Sequence, residues 1–149
     1  MKYSEGQIGR IFAIRLEGGD VIPNCIERFA ADKGISSGFA IMVGGVDEGE
    51  IVAGNKRGIG PIEQILVPIE GSQEVVGVGV LAPREDGKPI LHMHAALGRS
   101  DKTITGCFQH GVKAWLVGEV ILYEIIGANL VRTKDKESGL TLLKIEDAH

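Results

Sequence analysis

The order of apolar and polar residues along the chain predicts one helix and a larger number of strands. Residues 22–33 repeat their apolar side chains at helical spacing, with Pro23 in the first turn and Gly34 directly after the last one. Both residues suit helix ends, because proline lacks an amide hydrogen that the first turn leaves unpaired and glycine accepts the C-terminal cap conformation. The apolar positions of this helix are Ile22, Ile26, Phe29 and Ala30.

Short apolar or alternating segments fill the rest of the chain, and glycine-containing turns separate them, which predicts antiparallel strands. We expect residues 39–46 and 48–55 to pair as a hairpin, and residues 103–108 and 115–126 to form two separate strands. The expected fold is therefore α+β, a mainly antiparallel sheet with one principal helix in a single compact domain. The predicted strands cover residues 9–16, 39–46, 48–55, 64–69, 74–82, 90–97, 103–108, 115–126, 130–133 and 140–145.

The composition fits one globular domain of 149 residues, with 44% hydrophobic and 24% charged residues. Glycine occurs 22 times, about twice its usual share of roughly 7%, whereas only 5% of the residues are aromatic. Aliphatic side chains are therefore expected to fill the core, and most glycines are expected in turns and at strand ends.

The charge and the cysteine content narrow the class of protein. The formal net charge is -4, which argues against independent binding to nucleic acid, because phosphate contacts need a basic surface. No apolar run is long enough to span a bilayer, and the polar N-terminal residues lack the apolar core of a signal peptide. Cys25 and Cys107 are too few for a disulfide framework and are expected to be reduced thiols, so we expect a cytoplasmic protein.

His92 and His94 are the first candidates for chemistry, because they lie two positions apart in a predicted strand. Alternation turns both imidazoles to the same face, with their Cα atoms roughly 6.5 to 7 Å apart. The flanking residues of that face are apolar or small, and a partly desolvated imidazole stays neutral, which is the form that binds a metal. The spacing therefore predicts two ligands of one metal ion.

Cys107 is the favoured third ligand. The loop after the histidine strand is expected to have two residues (100–101) or four (99–102). In both cases the sequence numbers of two paired residues add up to 201, which places Cys107 directly opposite His94. Directly paired residues point to the same side of a sheet, so the thiol would join the two imidazoles. A set of two histidines and one cysteine suits zinc and leaves a fourth position open.

Two further residues stay open as parts of this site. His110 is the rival third ligand, although its odd spacing from Cys107 turns it to the other face unless Gly111 bends the chain. Glu119 stands in an apolar run, where a carboxylate needs a partner. It could orient a ligating histidine or accept a proton, and an edge or interface position explains it equally well.

Several segments together resemble one known family. They are Gly9-Arg10-Ile11-Phe12, Gly19-Asp20, Gly44-Gly45-Val46, His92-Met93-His94-Ala95-Ala96-Leu97-Gly98-Arg99, Thr105-Gly106-Cys107 and Trp115-Leu116-Val117-Gly118-Glu119-Val120. Their order and spacing are similar to those of the plant and prokaryote conserved (PPC) domain, of the stand-alone prokaryotic type. The resemblance covers about residues 5–145 and leaves residues 146–149 as a C-terminal tail.

The resemblance implies a compact domain that assembles as a homotrimer, and some prokaryotic members carry a metal at a histidine cluster. The usual Gly-Gly-His element of the family falls on Thr105-Gly106-Cys107, which puts a family histidine at the position of Cys107. Residues 60–66 are similar to a segment that contacts protein partners in plant members. Family members are often labelled as DNA-binding, but the AT-hook of the plant proteins is absent from this sequence.

The sequence therefore predicts a homotrimeric, metal-binding domain of the PPC type, with zinc as the expected ion and a binding or regulatory role. One alternative is a DNA-associated regulatory protein, which the family label favours and the charge disfavours. The other is a zinc-dependent hydrolase or lyase that activates water at the open position of the metal, with Glu119 as the base.

Overall fold

The computed structural model describes residues 1–56 and 62–145. The predicted tail at residues 146–149 and the start of segment 60–66 lie outside the described residues. The elements are β1 (Gln7–Glu17), β2 (Val21–Ile22), α1 (Asn24–Asp32), β3 (Gly38–Lys56), β4 (Glu63–Pro68), β5 (Gln73–Pro83), β6 (Pro89–Arg99), β7 (Lys102–Ile126), β8 (Leu130–Lys134) and β9 (Thr141–Ile145).

The α+β prediction is wrong, because the structure is mostly β. Strands make up 68% of it and helix only 6%. The predicted helix exists, but it is shorter than expected: Ile22 belongs to β2, and α1 has 9 residues. Helix α1 buries Ile26 and Ala30 against the sheet, so a single short helix covers part of a sheet system that forms nearly all of the fold.

Two strands are much longer than the sequence predicts. Residues 39–46 and 48–55 do not form a hairpin but belong to β3, which has 19 residues, and the two strands predicted within residues 103–126 are one strand, β7, of 25 residues. Glycines that were expected in turns lie inside these strands, where the pairing register shifts. Gly49, with φ of 107°, is one of them: a Cβ there would lie 2.6 Å from the backbone of Val112.

The main sheet has seven strands in the order β1-β7-β6-β5-β3-β4, and β2 pairs with β7. Strand β3 also pairs directly with β7, so β3, β5, β6 and β7 form a closed circuit of hydrogen-bonded neighbours. All named pairs of this sheet are antiparallel, as the sequence predicts. Strands β8 and β9 form a separate hairpin.

The core lies on one side of the strands and is aliphatic apart from Phe108. In β6, Leu91, Met93, Ala95 and Leu97 face this core, whereas His92 and His94 point to the opposite, exposed face. The alternation predicted for this strand is therefore confirmed. Within the described ranges, no helix combines the length and the apolar character that a membrane crossing requires.

Candidate metal site

The hairpin that joins β6 to β7 sets the geometry of the candidate site. Arg99 pairs with Lys102 across the two-residue turn at 100–101, and His94 therefore pairs with Cys107, which confirms the predicted register. Ser100 has a φ of 56°, as the tight two-residue turns of hairpins require. The two-residue turn fixes the register of the hairpin. A register shifted by one residue would turn Cys107 to the other face of the sheet, away from the histidines.

The two imidazoles converge on one point. Their Nε2 atoms lie 3.2 Å apart, and the ring planes are nearly perpendicular, with the ring centroids 4.8 Å apart. The ligating atoms of His92, His94 and Cys107 all lie within 4.8 Å of one another. Burial lowers the pKa of His92, and electrostatic interactions with Arg132 and with the neighbouring His94 lower it further, which favours the neutral imidazole of His92.

Cys107 is the buried member of the group, at 5% exposure. Burial raises the pKa of its thiol, while a hydrogen bond with Gln109 and the charge of Arg132 act in the opposite direction. The residue before it, Gly106, lies so close to β3 that an added Cβ would come within 2.5 Å of the Val52 carbonyl oxygen. This close approach of two backbones holds the cysteine strand against β3.

A cavity of about 710 Å³ opens beside these three side chains. Strands β3, β6 and β7, the start of α1 and the β8–β9 hairpin contribute to its wall. The described lining residues include one carboxylate, Glu27, and one guanidinium, Arg132. Its volume is within the usual range of small-molecule sites, about 300–1,000 Å³. Apolar side chains that line it include Val52, Leu91, Phe108, Leu140 and Leu142.

Arg132 and Glu27 are functional candidates that the sequence analysis missed. Arg132 is 5% exposed, and its Nη2 donates to the Val80 carbonyl oxygen at 2.9 Å. Glu27 accepts a hydrogen bond at Oε1 from the backbone N–H of Leu91, the residue before His92, at 2.8 Å. Burial raises the pKa of Glu27, although the Leu91 N–H and the charges of two arginines oppose that shift.

Of the two other candidates from the sequence, Glu119 lies apart from this group, and the role of His110 stays a prediction. Glu119 is exposed and lies on the same sheet face as the histidines. It pairs with Val43 on β3, Val43 pairs with Val76 on β5, and Val76 pairs with Ala96 on β6, so two strands lie between Glu119 and the histidine strand along this path. Along the sheet, three strand spacings of about 4.8 Å, or about 14 Å in all, separate it from the histidine strand. The backbone of His110 pairs with Glu50, and its side chain lies outside the described residues.

The match to a family model decides what kind of domain this is. Residues 3–126 match the model of the Plants and Prokaryotes Conserved (PCC) domain, which is the PPC family. The chain belongs to this family. No curated protein is significantly similar to it.

Solved structures with the same fold include one PPC protein. A metal-containing protein of Archaeoglobus fulgidus has a TM-score of 0.82 and 24% identity, over 95% of this chain and 98% of that one. A PPC protein of Pyrococcus horikoshii has a TM-score of 0.81 and 22% identity, over 99% and 100%. A candidate DNA-binding protein of Bacteroides thetaiotaomicron has a TM-score of 0.74 and 21% identity, over 98% and 100%. These likenesses show the PPC fold.

The sequence carries little signal for Arg132, because the residue follows the segment that matches the PPC family and belongs to a separate hairpin. Its neighbours predict a strand, but they do not predict where that strand packs. Glu27 follows the buried Ile26 on α1, and only the packing of α1 against β6 brings its carboxylate to the histidine strand. Both residues reach the cavity through contacts between distant parts of the chain.

Proposed function

We propose that this PPC domain binds zinc through His92, His94 and Cys107 and acts as a binding or regulatory module. The carrying observation is the 3.2 Å distance between the two Nε2 atoms. A tetrahedral zinc ion with Zn–N bonds of about 2.0–2.1 Å holds two nitrogen ligands about 3.3 Å apart. The histidines fit that geometry as they stand, and the thiol, within 4.8 Å of both nitrogens, needs a shift of about 1 Å.

Zinc in such a site acts either as a structural clamp on the hairpin or as a Lewis acid at its open position. The chain contributes two imidazoles and a thiol that the close packing of Gly106 against β3 holds in place. Zinc binding needs Cys107 in its reduced form, and both cysteines are free. A cytoplasmic location is part of the same proposal, since thiols stay reduced there.

Metal analysis of protein purified without a histidine tag tests the site. We expect about one zinc per chain in the unmodified protein and loss of that zinc in H92A and C107S, because a site with two ligands is incomplete. C25S is the matched control, since Cys25 is the other free cysteine and does not line the cavity. Absence of stoichiometric metal, or full retention in both H92A and C107S, would refute the site. Loss in H110A with retention in C107S would assign the third ligand to His110.

Assembly as a homotrimer is the second part of the proposal. The histidine face of the sheet continues as an apolar row, because Ile121 pairs with Ile41, Ile41 with Val78, and Val78 with His94. Val76 and Val78 are 60% and 48% exposed. An apolar patch of this kind on a single chain is typical of an interface.

Sedimentation velocity tests the assembly. We expect the unmodified protein to sediment as a trimer and V76D to dissociate it, because a carboxylate buried between copies lacks a partner. L143D is the control, since it places the same charge on an exposed aliphatic residue of the separate β8–β9 hairpin. A monomeric unmodified protein, or a V76D variant that remains trimeric, would contradict this part of the proposal.

A zinc-dependent hydrolase or lyase is the second candidate, and the cavity beside the histidines supports it. In this role Glu27 replaces Glu119 as the proton acceptor, because Glu27 lines the cavity and Glu119 lies about 14 Å away across the sheet. Hydrolysis of 4-nitrophenyl acetate by zinc-loaded protein, with E27Q and E119Q compared, tests it. Loss of activity in E27Q alone supports this role, whereas equal activity in both variants contradicts it.

A DNA-associated role is the third candidate, and the name of the Bacteroides thetaiotaomicron protein supports it. The charge opposes it. The net charge is -4, and several of the described cations, including Lys56, Lys113 and Arg10, already lie in ion pairs with glutamates. These pairs reduce the positive potential that phosphate contacts need.

A further inference from the structure

Arg132 is a buried cation without a counter-ion among the described residues. Its side chain is 5% exposed, and none of the ion pairs within 4.0 Å includes it. A guanidinium has five N–H donors, and the one hydrogen bond found for it in this part of the chain is the Nη2 contact with the Val80 carbonyl oxygen. Its Nε is buried and finds no acceptor among the residues that the structure describes. An arrangement of this kind destabilises the folded protein unless something compensates the charge.

The position of Arg132 indicates where the compensation comes from. The residue lines the cavity together with His92 and Cys107. Glu27 is the one carboxylate among the described lining residues, and one of its oxygens is already held by the N–H of Leu91. It forms no ion pair with Arg132 within 4.0 Å.

The charge balance points to an anion even more strongly when zinc is bound. The two positive charges of the ion and the one of Arg132 exceed the negative charges of a Cys107 thiolate and an ionised Glu27 by one. A protonated Glu27 increases the excess. A cavity whose charge is positive and whose volume is about 710 Å³ attracts an anion with an organic part.

We propose that this cavity binds a small organic anion whose carboxylate or phosphate group pairs with the guanidinium of Arg132. The inference rests on the proposed function in placing the ligand beside the metal site, and it names the class of ligand for that site. Arginine suits this role because its planar N–H groups match the oxygens of both anions. Leu140 and Leu142 line the cavity and provide contacts for the apolar part of the ligand.

Nuclear magnetic resonance of the arginine Nε–H groups tests the proposal in the complete protein, both zinc-free and zinc-loaded. The signal of Arg132 is assigned by its disappearance in R132K, which keeps the positive charge. We expect acetate or inorganic phosphate to shift this signal in a saturable way, and acetamide, the neutral analogue of acetate, to leave it unchanged. Saturation by acetate alone assigns a carboxylate ligand, and saturation by phosphate alone assigns a phosphate ligand.

The matched variants are R132Q and R84Q. The backbones of Arg84 and Arg132 are joined by a β-bridge, but Arg84 is exposed, pairs with Asp86 and does not line the cavity. We expect R132Q to weaken anion binding at least about tenfold and R84Q to change it less than about twofold, measured by calorimetry. Equal binding in the two variants, or no saturable shift in the unmodified protein, overturns the proposal. If R132Q fails to fold, the titration of the unmodified protein decides.

The zinc-free and zinc-loaded samples separate this inference from the proposed function. A saturable shift of the Arg132 signal in a protein that binds no zinc supports the anion site and refutes the metal site. Stoichiometric zinc with no response of Arg132 to either anion supports the metal site and overturns the anion site. If the anion binds only in the presence of zinc and binds R132Q as strongly as the unmodified protein, it is held by the metal alone. This result also overturns the anion site at Arg132.

Discussion

Glu124 and Arg10 form the best-connected ion pair of the structure, and its removal should be measurable as a loss of stability. Glu124 on β7 is 9% exposed, and it accepts from the Nε, the Nη2 and the backbone N–H of Arg10 on β1 at 2.7, 2.8 and 3.0 Å. The same Nη2 donates to the Lys33 carbonyl oxygen after α1. The pair therefore joins two strands and the end of the helix.

The pKa of Glu124 gives the magnitude. The hydrogen bonds from Arg10 lower this pKa from its ordinary value of 4.5 to about 2, which corresponds to at most about 3 kcal/mol of folding free energy. The Arg10 side chain is 53% exposed, so solvent screening reduces the expected effect to about 1–2 kcal/mol. A folded-state pKa below the unfolded one stabilises the protein above the unfolded value, and this contribution is lost as the pH falls through about 4.5 towards 2.

Urea unfolding of E124Q checks this reasoning. We expect E124Q to lower the unfolding free energy by about 1–2 kcal/mol at pH 7, and the difference from the unmodified protein to fall to about half or less at pH 3. E17Q is the control, because the pair of Arg15 and Glu17 is exposed on both sides and should contribute less than about 0.5 kcal/mol. An E124Q deficit that is the same at pH 7 and pH 3, or no larger than that of E17Q, would refute the argument.

Three other measurements follow from the site. G106A should destabilise the protein by about 1–3 kcal/mol, because its Cβ would lie 2.5 Å from the Val52 carbonyl oxygen, whereas G98A in the same hairpin meets nothing closer than 3.7 Å and should be almost neutral in thermal unfolding. Zinc at about 100 times its dissociation constant should stabilise the unmodified protein by up to about 2.7 kcal/mol, and the lack of any such shift, or an equal shift in H94A, would contradict the ligand set. Duplex DNA should bind weakly and with little salt dependence, whereas a loss of about a thousandfold in affinity between roughly 50 and 200 mM salt would demonstrate several phosphate contacts.

The local geometry of the candidate site could be predicted from the sequence because it depends on a single hairpin. The alternation of β6 fixes the side to which His92 and His94 point, and the two-residue turn fixes Cys107 opposite His94. Both rules act over a few residues and need no knowledge of the rest of the chain.

The fold class could not be predicted in the same way, because a glycine in a strand-like segment lies either in a turn between two strands or inside one long strand. Gly87 lies in the turn between β5 and β6, whereas Gly49 lies inside β3, where another backbone approaches too closely for a side chain. Local sequence does not distinguish the two, since the approaching backbone belongs to a residue about sixty positions away. The prediction therefore divided β3 and β7 into shorter strands, and it overestimated the share of helix in the fold.

The proposed metal ligands all lie on one hairpin, whereas Glu27 and Arg132 reach the cavity from opposite ends of the sequence. Closing the two-residue turn brings His92, His94 and Cys107 together at a low cost in chain entropy, while the other two residues meet only after long loops have closed. The ligands can therefore assemble before most of the sheet has formed. A metal captured at that stage also binds the unfolded chain, so it stabilises the protein by less than its affinity for the folded state alone would give. An anion held by Arg132, in contrast, binds only the folded chain.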